Sequence, residues 1–423
     1  MSRRARTLTT LAWIAAGLSL LAYAAVFWHA LRLALLPRVH VDGTAVPSGV
    51  ASDGAGGAVV AFTATGTTDL GCGEPVSDRG LVLVRFDSKG KCAWKKPVRG
   101  AAAAGVATSA TGDVVLAAEV YDNADFGFGP TPSFSSLAVT SYDSAGKPRW
   151  SRSLDARVAQ VATERSRQVV AVSRDGSMVA ALVATHNFAD LGNGKLTTRN
   201  TAHDAVVVLF DGATGKTRWN RYLGPLSFGG VTFARGGDVI VTGSFVGDMD
   251  VGGGPWRAVE GGQGEVFFVE LDVHGDTKLA ARFGAGDATL VAASDDGHFF
   301  VAGAYTQAGP DLGGALPACA DPACTFVAEL DGAGKPVHRA AVPGAAPRGI
   351  AVGPDGAVFV AGDRDTPFLV RVDDHASFGT SPSQVHGLDH VDGLAIDTSG
   401  RAVVAGRRSG GEHAGAGVRW VLP

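Results

Sequence analysis

Short apolar runs separated by polar turns recur along the whole of this chain. "DVIVTGSF", Asp238 to Phe245, is apolar or small at nearly every position and follows a glycine turn, which itself follows a second short apolar stretch, "GVTF". Two such runs across a Gly/Asp turn predict a β-hairpin. The signal in "GVTFARGGDVIVTGSF" returns as "GVASDGAGGAVVAFTA" from Gly49, "GVATSATGDVVLAAEV" from Gly105 and "VAVSRDGSMVAALVA" from Val170. It returns again as "VAASDDGHFFVAGAY" from Val291, "IAVGPDGAVFVAGDR" from Ile350 and "LAIDTSGRAVVAGRR" from Leu394, which makes seven copies. Aligned on Gly57, Gly112, Gly176, Gly237, Gly297, Gly356 and Gly400, most units are roughly 55 to 64 residues long and the sixth about 44, a repeat architecture.

A third run follows in most units: "LVLVRFD", "LAVTSYD", "AVVVLFD", "VFFVELD", "FVAELD" and "FLVRVD". These runs are apolar almost throughout, so both faces are expected to be buried. A second turn comes next ("DSKGK", "DSAGK", "DGATGK", "DVHGD", "DGAGK"), then a fourth strand that carries Trp94, Trp150 or Trp219 in three of the units. One unit is therefore expected to be a four-stranded antiparallel sheet. Each Val or Ile left in water would forgo roughly 1.5 to 3 kcal/mol of burial. Stacking the copies face to face around an axis covers both sides.

Repeats of this form resemble a seven-bladed β-propeller, and in particular the bacterial propeller-repeat (SBBP-type) family. "DGATGKTRW", Asp211 to Trp219, is also similar to the repeat of quinoprotein-like propellers, in which a Gly-Lys turn precedes a packed Trp. The resemblance covers about residues 39 to 423 and implies a fold far more than an activity. Quinoprotein dehydrogenases carry an adjacent cysteine pair beside their cofactor, and no two of Cys72, Cys92, Cys319 and Cys324 are adjacent, so no cofactor is expected. The last copy supplies "LAIDTSG", "AVVAG" and "GVRWVLP" but no fourth strand. "RVHVDGTAVP", near residues 38–47, is expected to pair there as the outer strand of the last blade and leave no open edge.

The first 36 residues follow a different pattern. Arg3, Arg4 and Arg6 precede a stretch from Thr7 to Leu31 without Asp, Glu, Lys or Arg. As a helix at ~1.5 Å per residue it would span roughly 37 Å, enough for a hydrocarbon core of about 30 Å with some tilt. Trp13, Tyr23 and Trp28 suit interfacial positions, and the arginine cluster favours a cytoplasmic N-terminus. The reading is a transmembrane signal anchor over 1–36 that displays the propeller, residues 37–423, outside the cytoplasm, in the periplasm or on the cell surface. A cleaved signal peptide is the alternative, with Ala22-Tyr23-Ala24 as its small-x-small site. The apolar run continues past that site to Leu31, which favours the uncleaved form.

Composition and charge narrow the class. With 59 glycines, 46% apolar and 18% charged residues the chain is fit to fold, with many turns. Setting aside the five arginines of residues 1–38 leaves 32 basic against 41 acidic side chains, and that sign argues against nucleic acid as a partner. Four cysteines in an exported chain suggest two disulfides. Local pairing of Cys72 with Cys92 and of Cys319 with Cys324 is the simplest of three connectivities. A zinc site built from all four thiolates is the rival, against which the spacing argues.

Several copies end in an acidic glycine loop: Asp69-Leu70-Gly71, Asp125-Phe126-Gly127, Asp190-Leu191-Gly192, Asp311-Leu312-Gly313, and "GDMDVGGG" with Asp248 and Asp250. Each fits an Asx-type turn whose apolar residue tucks against the sheet. The alternative is a calcium loop, which needs several acidic oxygens on one segment. His386, Asp389, His390 and Asp392 in "VHGLDHVDG" similarly allow a metal site or solvated loop polarity. No nucleophile-elbow, zincin or phosphate-loop motif occurs, so no catalytic residue is assigned and no enzyme is expected. The expected role is a non-catalytic interaction module for an envelope or extracellular protein or glycan, with the membrane as partner through the N-terminal helix. The alternative is an exported propeller enzyme, a degenerate quinoprotein or a lyase or hydrolase, with its site in the central channel.

Overall fold

The computed structural model describes residues 36–421 except 78, 132–135, 155–167, 186–187, 198–203, 259–263, 308, 343–345, 364–365, 373–382 and 409–414. The predicted membrane span lies outside the described residues, among which no helix is long and apolar enough to cross a membrane. Every regular element described is a β-strand, and the strands pair antiparallel with their chain neighbours.

The recurring unit is a four-stranded meander. One runs through Ala101–Thr108, Val114–Val120, Ser136–Tyr142 and Pro148–Leu154, and another through Asp287–Ala293, Phe299–Gln307, Cys319–Leu330 and Pro336–Val342. A third, Ala346–Val352, Val358–Asp363, Pro367–Val372 and Ser383–Gln384, ends in a strand of only two residues. The remaining meanders are joined in pairs into seven-stranded sheets, because one long strand serves two of them. Thr217–Phe233 pairs through its first half with Asp204–Asp211 and through its second half with Val239–Phe245. Arg38–Ser52 does the same. Its residues 38–42 pair with 415–419 of the Gly415–Val421 strand, and residues 45–52 pair with the Ala58–Asp69 strand. Segments from opposite ends of the described chain are thereby zipped into one sheet. Gly43, at φ 107°, lies where the strand passes from one meander to the next, and a Cβ there would meet the Thr67 carbonyl at 2.2 Å.

The first strands of the meanders touch in a closed cycle. Arg38–Ser52 lies against Ala101–Thr108, which lies against Val170–Val172, and the chain of contacts continues through Thr217–Phe233, Asp287–Ala293, Ala346–Val352 and His390–Ile396 back to Arg38–Ser52. Apolar layers fill the spaces between successive sheets. Val39, Val41, Val418 and Trp420 from one meander pack on Val60, Phe62 and Phe86 from the next. Strands such as Asp204–Asp211 and Val239–Phe245 are buried along almost their whole length because both faces serve such layers. Full burial of each large aliphatic side chain stabilises by roughly 1.5–3 kcal/mol, which holds sheets that no helix covers.

Tryptophans lock neighbouring sheets at their outer strands. The Nε1–H of Trp94 donates to the Ser144 carbonyl at 3.1 Å, that of Trp150 to Gly212 at 2.8 Å, and that of Trp219 to Val273 at 2.9 Å. In each case the acceptor sits in the last turn of the following meander. Gly215, at φ 67°, gives the Trp150 ring its seat, since a Cβ there would lie 2.5 Å from the indole. Two disulfides, Cys72–Cys92 and Cys319–Cys324, close local loops, as the simplest pairing anticipates. The first ties a glycine loop to an outer strand.

The acidic glycine loops are backbone turns. Asp69, Asp190 and Asp250 each accept the N–H of the glycine two residues on, at 2.8–2.9 Å, and Asp125 accepts three N–H groups, from Gly127, Phe128 and Gly129. Asp311 accepts from Gly314 at 3.1 Å. Leu70, Phe126, Leu191, Val251 and Leu312 are all buried behind them. The second acid of the fullest loop, Asp248, faces Arg257 at 3.6 Å instead of joining Asp250.

Candidate functional site at the channel

The closed cycle of first strands encloses a cavity of about 340 Å³ whose wall is mostly Gly, Ala, Val, Leu and Ile. Small apolar side chains line it because the strands crowd together near the axis. Chemistry enters where the wall is interrupted by Gln168, Arg348 and Asp392. Arg348 and Asp392 share a local cause. In five of the first strands the pairing with the next strand skips one residue, between Pro47 and Gly49, Ala103 and Gly105, Ala288 and Leu290, Pro347 and Gly349, and Val391 and Gly393. Such a bulge re-aims the skipped side chain. The skipped residues include Ser48 and Thr289, but only Arg348 and Asp392 bring formal charge.

Asp363 joins the last two meanders at this place. Its Oδ2 accepts from Arg348 Nε at 3.2 Å and lies 3.9 Å from His390 Nδ1, while its Oδ1 accepts the Val391 N–H at 2.6 Å. Asp392 is only 5% exposed and accepts from Arg407 Nε at 3.0 Å. Burial that deep makes the partner obligatory, because an unpaired carboxylate there would be strongly destabilising. Gln168 reaches across to a different part of the ring. Its Oε1 accepts the Val291 N–H at 2.7 Å and its main-chain oxygen accepts the Val231 N–H at 2.9 Å.

The turns that follow the first strands are laced to one another at the other end of the channel. Arg174 Nη1 donates to both carboxylate oxygens of Asp295, at 2.9 and 2.8 Å, and Arg235 Nη1 donates to the Asp295 carbonyl at 2.8 Å. Ala110 N–H donates to the Arg174 carbonyl at 2.9 Å, adding a further turn. The ion pair is largely exposed and adds little stability. Together these bonds link four of the turns.

Of the residues singled out in the sequence, Asp392 lines the channel, while His390, two residues earlier, lies beside Asp363 instead. Among the described residues no three His, Cys, Asp or Glu side chains gather into a cage for a metal ion. All four cysteines are spent in disulfides. The sequence reading missed Gln168, Arg348 and Asp363. The first two precede the repeat's own "VVAVS" and "GIAVG" stretches, so comparison of that one position across copies is the signal that would have found them.

This closed, axis-centred arrangement of antiparallel meanders defines a β-propeller. No family model matches the chain, and no curated protein matches it. Among solved structures it is similar to the β-propeller domain of the trilobed protease from Pyrococcus furiosus, with a TM-score of 0.51 and 11% identity over 89% of this chain and 94% of that one. That domain is described as having an open velcro topology, whereas residues 38–42 pair with 415–419 here. The WD40 domain of Neurospora crassa Pan2 (TM-score 0.48, 12% identity, 89% and 88% covered) and the C-terminal WD40 domain of Sif2 (0.46, 9%, 92% and 99%) are also similar. At these identities the likeness is one of fold.

Proposed function

We propose that this protein is a seven-bladed β-propeller held outside the cytoplasm by its N-terminal span, and that it is a non-catalytic interaction module that captures a protein or glycan at the end of the channel marked by Gln168, Arg348 and Asp392. One observation supports the reading above others. Charge appears at only two of the equivalent bulge positions around the ring, on neighbouring blades, so the otherwise repetitive wall has one chemically distinct sector. A rigid ring that carries variable groups on its rim suits recognition. The Arg348 side chain lines the cavity with its Nε engaged and its two terminal nitrogens donating no hydrogen bond within the described protein.

The second reading, an enzyme with its site in the channel, draws on the same sector, where Asp363, His390 and Asp392 lie close to Arg348. One experiment separates them. A photo-crosslinking residue at position 390, in intact cells, is expected to capture a discrete envelope partner, and Arg348→Ala with Asp392→Asn to lose it while the fold persists. Equal capture by the double variant would defeat the proposal. So would turnover of a redox-dye or hydrolase substrate by purified protein that the same variant abolishes.

A further inference from the structure

Arg419 lies on the Gly415–Val421 strand, is 7% exposed, and has its Nη1 buried without a hydrogen-bond partner among the described residues. Its neighbours in the same meander contrast with it: Arg401 is paired with Asp397 at 2.7 Å and Arg407 with Asp392 at 3.0 Å. A guanidinium taken out of water without an anion is strongly unfavourable. The surroundings deepen the imbalance. Arg38 stands directly across the strand pair from Arg419, and His40 follows on the same face two residues later. Arg408 Nη1 lies 2.9 Å from His40 Nδ1, which accepts and so leaves the ring neutral. Burial first, and the cations Arg38 and Arg408 second, hold Arg419 below its ordinary range. Burial first, then Arg419, Arg408 and Arg38, lower His40, and Asp42 opposes them. Gly387 borders the group, where a Cβ would come within 3.1 Å of Arg419 Nη2.

We propose that Arg38, Arg408 and Arg419 form a binding site for an anion of the phosphate class, a mono- or diester whose oxygens take up the donors the protein leaves unmet. Planar guanidinium forks match phosphate oxygens in pairs, and several forks around one centre suit an anion with three or four oxygens better than a single carboxylate. The site lies on the rim, apart from the channel, and is independent of what the channel binds. Two sources supply such a group, a soluble phosphate compound or a lipid headgroup. The second source rests on the anchoring reading given above. Arg38 follows Leu31 by seven residues, so at 3.3–3.6 Å per residue it lies within about 25 Å of the end of the charge-free stretch, close to a headgroup layer.

The test uses the full chain in an uncharged detergent, titrated with inorganic phosphate against sodium chloride of matched ionic strength and followed by thermal unfolding. A saturable rise in Tm with phosphate alone is expected. Arg419→Met and Arg408→Gln should each weaken the phosphate affinity about tenfold to a hundredfold, the loss of a charged hydrogen bond. Near-UV circular dichroism checks that both variants fold. Arg419→Met should also unfold at a higher temperature than wild type when phosphate is absent, since it removes the orphaned cation. No phosphate-specific shift in the wild type, or unchanged affinity in both variants, would overturn the proposal. Repeating the titration in phosphatidylglycerol nanodiscs identifies the source: blocked phosphate binding means a lipid headgroup holds the site, and undiminished binding means a soluble anion does. Failure of the chain to enter nanodiscs would count against the anchor alone, because the detergent titration stands without it.

Discussion

The seat of Trp150 on Gly215 allows a quantitative check of how the blades are locked together. Trp150 is 4% exposed, donates to Gly212 and packs on Phe210 at a centroid distance of 6.1 Å. Trp150→Ala removes the ring and orphans the Gly212 carbonyl, a loss of about 4 kcal/mol. Gly215→Ala forces a residue with a Cβ into φ 67°, about 1 kcal/mol, and drives that Cβ to 2.5 Å from the indole, adding about 2 kcal/mol of overpacking. If the indole is what the new methyl strikes, the overlap vanishes once the ring is gone. The double variant should then lose about 5 kcal/mol where simple addition gives about 7, a coupling of about 2 kcal/mol. Urea unfolding of the four proteins, followed by far-UV circular dichroism, measures it. Additivity within about 0.5 kcal/mol would refute direct seating.

Other consequences are simpler to check. Replacing Cys72 and Cys92 by Ala frees a loop with a sequence separation of 20 and should lower stability by about 3 kcal/mol, against about 2 kcal/mol for Cys319 and Cys324 with a separation of 5. Calorimetry of the two variants gives the order. Asp53→Ala strips both Arg85, bonded at 3.0 and 3.1 Å, and the N–H groups of Ala55 and Gly57, and should cost about 3 kcal/mol in the same assay. His298 is raised above its ordinary 6.5, first by its 2.5 Å hydrogen bond to Glu329. Folding therefore favours its charged form, and that contribution is full below 6.5 and fades as pH rises through the raised value. Proton NMR titration should show the shift, and Glu329→Gln should reduce it, leaving the smaller effect of Asp296 and Asp331.

The hairpins were legible because their signals are local: a short, nearly continuous apolar run, a turn rich in Gly and Asp, and an apolar residue behind each acidic loop. Their joining was not. "TRWNRY" and "GVTF" read as separate pieces across Gly224-Pro225, yet they belong to one strand, Thr217–Phe233, that bends from one meander into the next. The channel residues were hidden for a related reason. Gln168 finds its acceptor role at Val291, far along the chain, and Arg348 matters because a skipped pairing turns it toward the axis. Neither circumstance leaves a trace in the neighbouring residues. The charge imbalance around Arg419 was equally silent, since Arg38, Arg408 and Arg419 meet only after the strands pair.

The strand that spans two sheets also sets a timetable for synthesis. Residues 38–42 reach the ribosome exit early, but their partners at 415–419 follow about 380 residues later, which at 5–20 residues per second is a wait of roughly 20 to 75 seconds. For that interval Val39 and Val41 have no sheet to join, and the nascent protein carries a bare edge open to mispairing with other chains. Among the described residues this pairing joins the segments farthest apart in sequence, and contacts of that kind form slowly by topology.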